Sequence, residues 1–257
     1  MDYFDKEYCI EVTGDYACFT QPAFKAERFS YPAPTPSAMR NILQSIFWVK
    51  GATEWEITKI EVLKPIQFEV IKMNEVGGIR NLSGSKLTKR ELQTPAGKKI
   101  TKKVKLPDPI YIDNDRQQRV SCVLKDVAYR IYAKLVFIPI HKRSHQDQEI
   151  TKAKLAQKGT KDENPGKYYA EFERRIKSGG CFQQPYLGIR EYSCSFELVE
   201  HPKPMGIQQD QDLGIMLFDL DFESNPTNPT PLFFHARMKQ GVIHIPNIKS
   251  KEILRWC

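Results

Sequence analysis

The sequence predicts an α+β fold in which two amphipathic helices are set among a larger number of strands. Segments of alternating apolar and polar residues recur along the 257-residue chain, and two other segments repeat apolar residues every three or four positions. Each of these two segments follows a helix-capping residue and a proline. Hydrophobic residues make up 40% of the chain, and no apolar run approaches the ~20 residues of a membrane span.

The first predicted elements are a strand and a helix. Apolar and polar residues alternate over 8–13, which predicts a strand. After a loop over 14–33, Thr35 supplies an N-cap and Pro36 a first helical position. Apolar residues at positions 39, 42, 43 and 46 then predict an amphipathic helix that ends near Trp48.

Two strands, over 57–63 and 66–70, lead into a strongly basic segment. Residues 86–105 contain eight basic residues and one acid, so they carry +7 of the net charge of +8. Glycines, prolines and the lack of periodicity predict an extended arm or long hairpin at about 84–107. Such charge suits a polyanion, with nucleic acid before anionic lipid, although a solvated flexible arm fits the composition equally well.

The second half continues the pattern of strands around one helix. A strand is predicted over 127–137, and the polar stretch 142–163 is predicted as a loop with at most one helical turn. Asn164 and Pro165 begin the second helix, which stops at the glycines of 178–180. The remaining strands are expected over 196–199, 213–222 and 232–245. This order resembles the ferredoxin-like, or RNA-recognition-motif, topology.

The motifs argue against several classes of enzyme. The six cysteines form no C-x-x-C pair, and the five histidines show no metal-ligand spacing on a helix. No nucleotide-binding or serine-hydrolase motif is present either. We therefore expect no metal and no cofactor. The acidic N-terminus does not read as a signal peptide, so we expect a cytoplasmic protein without a membrane partner.

The start of the second helix is the first candidate site. Lys167 falls near its third residue, where the helix dipole disfavours a cation by ~0.3–1 kcal/mol unless a phosphate binds there. The alternative is an ion pair with Glu171, one turn further on. The same helix ends in further cations, which could position an RNA backbone. Reading single-stranded RNA also needs stacking aromatics. The candidates, each of which could equally be a core residue, are Phe19, Phe24, Phe29, Tyr31, Phe182 and Tyr186.

Longer motifs resemble one known family. They include GDYACFT at 14–20, PSA at 36–38, SIFW at 45–48, NDRQQR at 114–119 and FQQPYLGIRE at 182–191. Shorter matches lie at 166–167, 178–180, 213–216 and 231–243. These motifs are similar to the CRISPR-associated Cas-five proteins of the type I-C subtype, the repeat-processing RAMP-type subunits of Cascade. The similarity spans nearly the whole chain.

The resemblance implies a fold and a function. The fold is a ferredoxin-like domain over 1–198, carrying the basic arm, and a small β-rich domain over 199–257. The function is metal-independent cleavage of precursor CRISPR RNA at the repeat by 2′-hydroxyl attack, after which the protein holds the 5′ handle. Its implied partners are the backbone Cas-seven and large Cas-eight subunits, with target DNA met through the complex. Two alternatives are a non-catalytic subunit that only caps the handle and a nucleic-acid-binding protein outside CRISPR.

The resemblance also implies the site residues. The family's catalytic tyrosine, lysine and histidine align with Phe47, Lys167 and Tyr168, so this chain departs from the trio at two positions. The candidate catalytic residues are Lys167, Tyr168 and the adjacent Tyr169. The candidate RNA-binding residues are Lys25, Arg28, Arg40, Phe47, Trp48, Lys98, Lys99, Lys102, Lys103, Arg116, Arg119, Arg174, Arg175, Lys177 and Arg190.

Overall fold

The structure is a computed structural model that describes residues 5–24, 27–76, 87–93, 99–105, 116–158, 163–222, 224 and 227–255. The chain divides into two compact units. The larger comprises Met1–Val70 and Cys122–Cys257, and the smaller comprises Ile71–Ser121. Within the described ranges, no helix is long and apolar enough to cross a membrane.

Strands dominate the described residues. Three α-helices and one short 3₁₀ helix, Ile140–Lys142, complete the secondary structure of those residues. The α-helices are α1 (Pro36–Ile46), α2 (His145–Gln157) and α3 (Pro165–Lys177). The strands are β1 (Lys6–Ala17), β2 (Arg28–Phe29), β3 (Thr53–Val62), β4 (Phe68–Val76), β5 (Leu87–Gln93), β6 (Lys99–Lys105), β7 (Arg116–Phe137), β8 (Ser195–Leu198), β9 (Gln211–Asp221), β10 (Thr230–Lys239), β11 (Val242–His244) and β12 (Leu254–Arg255). The predicted α+β class is confirmed.

Ten of the strands form one sheet, whose main path runs β12-β10-β11-β3-β7-β1-β8. Strand β1 lies between β7 and β8 and is antiparallel to both. Strand β7 in turn pairs antiparallel with β3. The C-terminal strands β9 to β12 belong to this same sheet. The division of the chain at 198/199 stays a prediction.

An aromatic cluster anchors α1 and α3 to the sheet. Phe172 of α3 is fully buried, with its ring centroid 4.7 Å from that of Tyr8 on β1 and 4.8 Å from that of Trp55 on β3. The Trp55 indole Nε1 donates a 2.9 Å hydrogen bond to the carbonyl oxygen of Phe47, directly after α1. The end of α1 and the first half of α3 are therefore fixed next to each other on a rigid core.

Local capping explains where these two helices begin and end. The Thr35 side chain accepts a hydrogen bond from the Ala38 N–H, and the Asn164 side chain accepts one from the Gly166 N–H. Gly179 has φ +68° past the end of α3, a conformation that glycine adopts without steric cost. The Gly180 N–H donates back to the Arg175 carbonyl at 2.8 Å. These starts and this stop were predicted from sequence and are confirmed.

The prediction of a loop over 142–163 is wrong. Residues His145–Gln157 form a 13-residue helix, α2, none of whose residues is buried. Because no face of α2 is buried in a core, it has no apolar period to detect. Its signal is a cap: Ser144 accepts a hydrogen bond from the Asp147 N–H and donates one to the Asp147 carboxylate.

The basic segment forms a two-stranded antiparallel hairpin, β5 with β6. The register sets cationic residues opposite each other, with Lys89 facing Lys103 and Arg90 facing Lys102. Like charges directly across a strand pair are unfavourable without a counter-charge. The hairpin form of the predicted arm is thus confirmed in its backbone.

Candidate functional site

Lys167 stands in the first turn of α3. Asn164 caps this helix, Pro165 fills its first position, and the Lys167 side chain is exposed. Within the described part of the chain, its ammonium group has no hydrogen-bond or ion-pair partner. The alternative partner, Glu171, instead accepts hydrogen bonds from Arg174 at 2.8 Å and Arg175 at 3.0 Å. An uncompensated cation at a helix N-terminus is an arrangement that favours a bound anion.

Tyr168, the next residue, is held by a buried ion pair. Its hydroxyl donates a 2.5 Å hydrogen bond to Glu163 Oε1, and its ring stacks on Phe137 at 5.9 Å. Glu163 also forms a two-pronged ion pair with Arg143, whose side chain is only 1% exposed. Burial, and after it the hydrogen bond to Glu163, raises the pKa of Tyr168 well above its usual value. Tyr168 therefore keeps its proton at neutral pH.

Phe47 lies next to Tyr168. It caps the C-terminal end of α1 and is buried, with its ring centroid 6.5 Å from that of Tyr168. Two of the three positions that the resemblance aligns with catalytic residues, Phe47 and Tyr168, thus meet in space, although 121 positions separate them in sequence. The phenyl ring of Phe47 brings no ionisable group to this contact.

Arg175, one of the predicted RNA-binding residues, connects Phe47 to an exposed aromatic surface. Its guanidinium carbon lies 5.8 Å from the centre of the Phe47 ring and 4.1 Å from that of Phe182. The guanidinium also donates to the carbonyl oxygen of Ile46, at the end of α1. Trp48, directly after Phe47, is 44% exposed. Cations and aromatic faces therefore share the surface where α1 ends and α3 runs past it.

Tyr169 is the remaining catalytic candidate. It packs half-buried against the core, and burial, with a smaller contribution from Asp5, raises the pKa of its hydroxyl. The two tyrosines thus share one property, a proton that is retained at neutral pH.

The other predicted cations are distributed more widely. Arg40 forms a two-pronged ion pair with Asp219, and Lys177 pairs with Glu200 at 2.7 Å. Arg174 pairs with Glu171, whereas Arg190 is exposed with no partner among the described residues. Arg28 lies on β2 and lines a surface groove together with Arg190. Their contacts with RNA stay predictions.

The remaining predicted RNA-binding cations lie in the smaller unit or outside the described residues. Arg116 is exposed at the start of β7, and Arg119 lies 3.8 Å from Glu75. Lys99, Lys102 and Lys103 lie on β6. Lys25 and Lys98 fall outside the described residues.

The candidate stacking aromatics separate by burial. Phe19 and Tyr31 are buried in the core, where they are unavailable to a base, which corrects their candidacy. Phe24 and Phe29 are exposed and lie 5.8 Å apart, and Phe182 is 62% exposed. Tyr186 is half-buried. Exposure depends on tertiary packing, so sequence pattern could not make this separation.

Sequence reasoning missed Arg143 and Glu163. Arg143 also donates to the Ile138 carbonyl at 2.8 Å and to Thr151 at 3.0 Å. It thereby ties the end of β7 and helix α2 to the start of α3. Both residues lie in the polar stretch 142–163, which was predicted as a loop. No short sequence motif predicts an ion pair between residues 20 positions apart. The Ser144 cap was the one local signal nearby.

Comparisons with known proteins agree on a family. A family model described as CRISPR-associated protein Cas5, of the Cas5d type, matches residues 7–246. A protein of Mannheimia succiniciproducens named CRISPR pre-crRNA endoribonuclease Cas5d is 40% identical over 96% of this chain and 97% of its own length. One of the same name from Thermus thermophilus is 36% identical over 96% of this chain and 94% of its own length.

Solved structures share the fold. A crystal structure described as a CRISPR-associated protein has a TM-score of 0.60 and 21% identity, covering 99% of this chain and 100% of that one. A functionally uncharacterised protein of Streptococcus mutans has a TM-score of 0.58 and 20% identity, covering 98% and 100%. At such identities the likeness concerns the fold alone. The sequence matches are closer and span nearly the whole chain, and they show that the protein belongs to the Cas5d family of CRISPR-associated proteins.

Proposed function

We propose that this protein binds the repeat of precursor CRISPR RNA, cuts it, and stays on the 5′ handle as a subunit of a type I-C interference complex. Both curated relatives, which match along almost their entire length, are named pre-crRNA endoribonucleases. The observation on this chain that carries the proposal is the unpaired Lys167 ammonium in the first turn of α3, next to Tyr168. The partners are the repeat RNA, the backbone and large subunits, and target DNA through the complex.

The strand order supports a ferredoxin-like core for this function. When β2, β4 to β6 and α2 are treated as insertions, the elements β1, α1, β3, β7, α3 and β8 give the order strand–helix–strand–strand–helix–strand. The four strands stand in the sheet as β3-β7-β1-β8, and each neighbouring pair is antiparallel. This order and these directions support the assignment to the split βαβ arrangement. We assign residues 1–198 to this domain with its basic arm, and 199–257 to the β-rich C-terminal domain.

In the proposed reaction, a 2′-hydroxyl oxygen bonds to the adjacent phosphorus and the bond to the 5′ oxygen breaks. The products are a 2′,3′-cyclic phosphate and a 5′-hydroxyl. The hydroxyl proton passes to water, and the leaving oxygen takes a proton from water. Lys167, together with the positive end of the α3 dipole, offsets the charge that develops on the phosphorane-like transition state. Because Tyr168 and Tyr169 hold their protons, we assign them to positioning rather than to base catalysis.

One observation favours a second function, a non-catalytic subunit that only caps the handle. Phe47 offers no proton, and the Tyr168 hydroxyl is already committed to Glu163. A site with one cation and no free acid or base can bind a phosphate without cutting beside it.

A cleavage assay separates the two functions. Purified protein is incubated with an end-labelled repeat transcript in excess chelator. We expect one cut, a cyclic-phosphate end, and no reaction when the nucleotide at the cut carries a single 2′-deoxy substitution. Activity that disappears in chelator and returns with Mg²⁺ would overturn the metal-independent mechanism. Tight binding without a cut would establish the capping role.

A further inference from the structure

A groove runs beside the candidate site, between α1 and the loop that follows α3. Its volume is about 550 Å³, within the ~300–1,000 Å³ usual for sites that hold small ligands. One wall is the face of α1 that carries Ala38, Asn41 and Ser45, continued by Trp48 beyond the helix end. The other wall is the loop from Phe182 to Gly188.

The walls are held in place by specific contacts. The Phe182 N–H donates a 2.7 Å hydrogen bond to the Ser45 carbonyl, which fixes the loop to α1. The Arg175 guanidinium lies 4.1 Å from the centre of the Phe182 ring. At the far end, Gly188 has φ +89°, and a Cβ there would fall 2.0 Å from the Cys18 carbonyl oxygen. The groove is therefore built on fixed backbone.

Its lining combines exposed aromatic faces with free amides. Trp48 is 44% exposed and Phe182 is 62% exposed, so each ring presents part of its surface to solvent. The side-chain amides of Asn41, Gln44 and Gln183 make no hydrogen bond within the ranges that the structure describes. Aromatic faces stack on bases, and amides carry both the donor and the acceptor that a base edge needs. A purely apolar partner would leave these amides unsatisfied.

An arginine side chain stands at each end of the groove. At one end, Arg175 contacts both Phe182 and Phe47, which leads to Tyr168 and the start of α3. At the other end, a second groove of about 400 Å³ shares Gly188 with the first and reaches the exposed Arg190. Cations flanking an aromatic groove match the path of a single nucleic-acid strand.

We propose that this groove is a base-binding subsite that takes one unpaired nucleobase of the repeat RNA, on the surface where α1 ends and Arg175 of α3 packs. Trp48 and Phe182 stack on the base, and the amides of Asn41, Gln44 and Gln183 contact its edge. The proposal rests on the proposed RNA-binding function, which it extends by naming a base contact and the residues that make it.

The test pairs protein variants with abasic RNA. Each single-stranded nucleotide of the repeat is replaced in turn by an abasic one, and binding is measured for the parent, Trp48→Ala and Phe182→Ala. We expect one position at which the abasic change weakens parent binding by about 5- to 150-fold, the range of one base–aromatic stack. Each variant should bind intact RNA more weakly than the parent does. The abasic change at that position should then weaken the variant's binding only slightly further. Gln183→Ala should reduce the preference among the four bases there.

Controls separate the possible failures. Phe222→Ala removes an equally exposed ring far along the chain and should keep the parent's affinity and abasic profile. Circular dichroism checks that the variants are folded, and Trp48→Phe should restore most of the binding. If the parent binds and cuts the repeat but Trp48→Ala and Phe182→Ala keep its abasic profile, the subsite is wrong while the proposed function stands. If the parent does not bind the repeat, both are wrong.

Discussion

At the scale of single residues, the candidate site depends on the contrast between Lys167 and its neighbours. Arg174 and Arg175 form ion pairs with Glu171, and the Tyr168 hydroxyl donates a hydrogen bond to Glu163. Lys167, in contrast, has no partner among the described residues. In the first turn of α3 this cation is also repelled by the helix dipole. Keeping it there costs stability, and a bound phosphate group would remove that cost.

We therefore expect Lys167→Ala to reduce cleavage of the repeat by ~100–1000-fold, which is typical for loss of one preorganised group that stabilises transition-state charge. Single-turnover cleavage rates measure this effect. Binding should change much less because other cations share it, and Lys167→Arg should retain part of the activity.

The matched control is Lys251→Ala, which removes another exposed lysine outside the site. It should cut as fast as the parent. Equal cleavage by Lys167→Ala and the parent would make Lys167 an ordinary surface lysine and would refute the site assignment.

At the scale of elements, the start of α3 is held by a neighbouring helix that the sequence did not predict. Arg143, at the end of the 3₁₀ helix before α2, reaches Glu163, and Glu163 fixes Tyr168 on α3. The Arg143 and Glu163 side chains are 1% and 11% exposed, so solvent screens this pair weakly. The ion pair thereby transmits the position of α2 to the helix terminus that carries Lys167.

Arg143→Leu should lower the free energy of unfolding by about 3–5 kcal/mol, because it leaves the Glu163 carboxylate buried without its counter-charge. Urea unfolding followed by circular dichroism measures this loss. Lys152→Ala breaks an exposed pair with Glu149 on α2 and should cost less than about 1 kcal/mol. If the two variants lost equal stability, the proposed link between α2 and α3 would be wrong.

The β5–β6 hairpin is the second element with a predicted role. Its register places basic residues opposite one another, which a polyanion would compensate. If all four side chains contact single-stranded phosphates, replacing Lys98, Lys99, Lys102 and Lys103 by alanine should reduce the magnitude of the slope of log affinity against log salt concentration by up to ~3. The slope of log affinity against log salt measures this change. A control that replaces Lys249 and Lys251 should leave the slope as it is, and an unchanged slope in the hairpin variant would exclude the contact.

Local signals explain what could be predicted at this scale. The adjacent residues Thr35-Pro36 and Asn164-Pro165 predict where α1 and α3 begin. The alternation of apolar and polar residues predicts the positions of β1 and β7. Helix α2 was not predicted because it buries no apolar face and so shows no helical periodicity of apolar residues. The Phe47–Tyr168 contact and the groove at Trp48 join distant segments, so they depend on packing, which no short pattern records.

At the scale of the whole molecule, two features matter: the uneven charge and a core rich in tyrosine. Residues 86–105 carry almost all of the net charge, so the remainder of the chain is nearly neutral. Electrostatic attraction to RNA should therefore be concentrated on residues 86–105, whereas contacts in the rest of the protein set its position on the RNA.

The tyrosines predict how the fold responds to alkali. The pKa values of Tyr8, Tyr129, Tyr132 and Tyr168 are all raised well above the usual value, with burial as the largest cause in each case. Tyr8 and Tyr168 are raised further by hydrogen bonds to Glu173 and Glu163. Below pH ~10 both the folded and the unfolded chain keep these protons, so stability does not depend on them.

Above pH ~10 the unfolded chain releases protons that the folded chain retains, so the free energy of unfolding falls as the pH rises. We expect at least these four of the eleven tyrosines to ionise only together with unfolding. An alkaline titration that follows tyrosinate absorbance and circular dichroism in parallel should show their absorbance rising at the pH where the secondary structure is lost. Tyr129→Phe removes one such group, so the midpoint of its alkaline unfolding should move to higher pH. Ionisation of all eleven tyrosines near pH ~10 with unchanged circular dichroism would contradict the burial of these hydroxyls, and with it the placement of Tyr168 against Glu163.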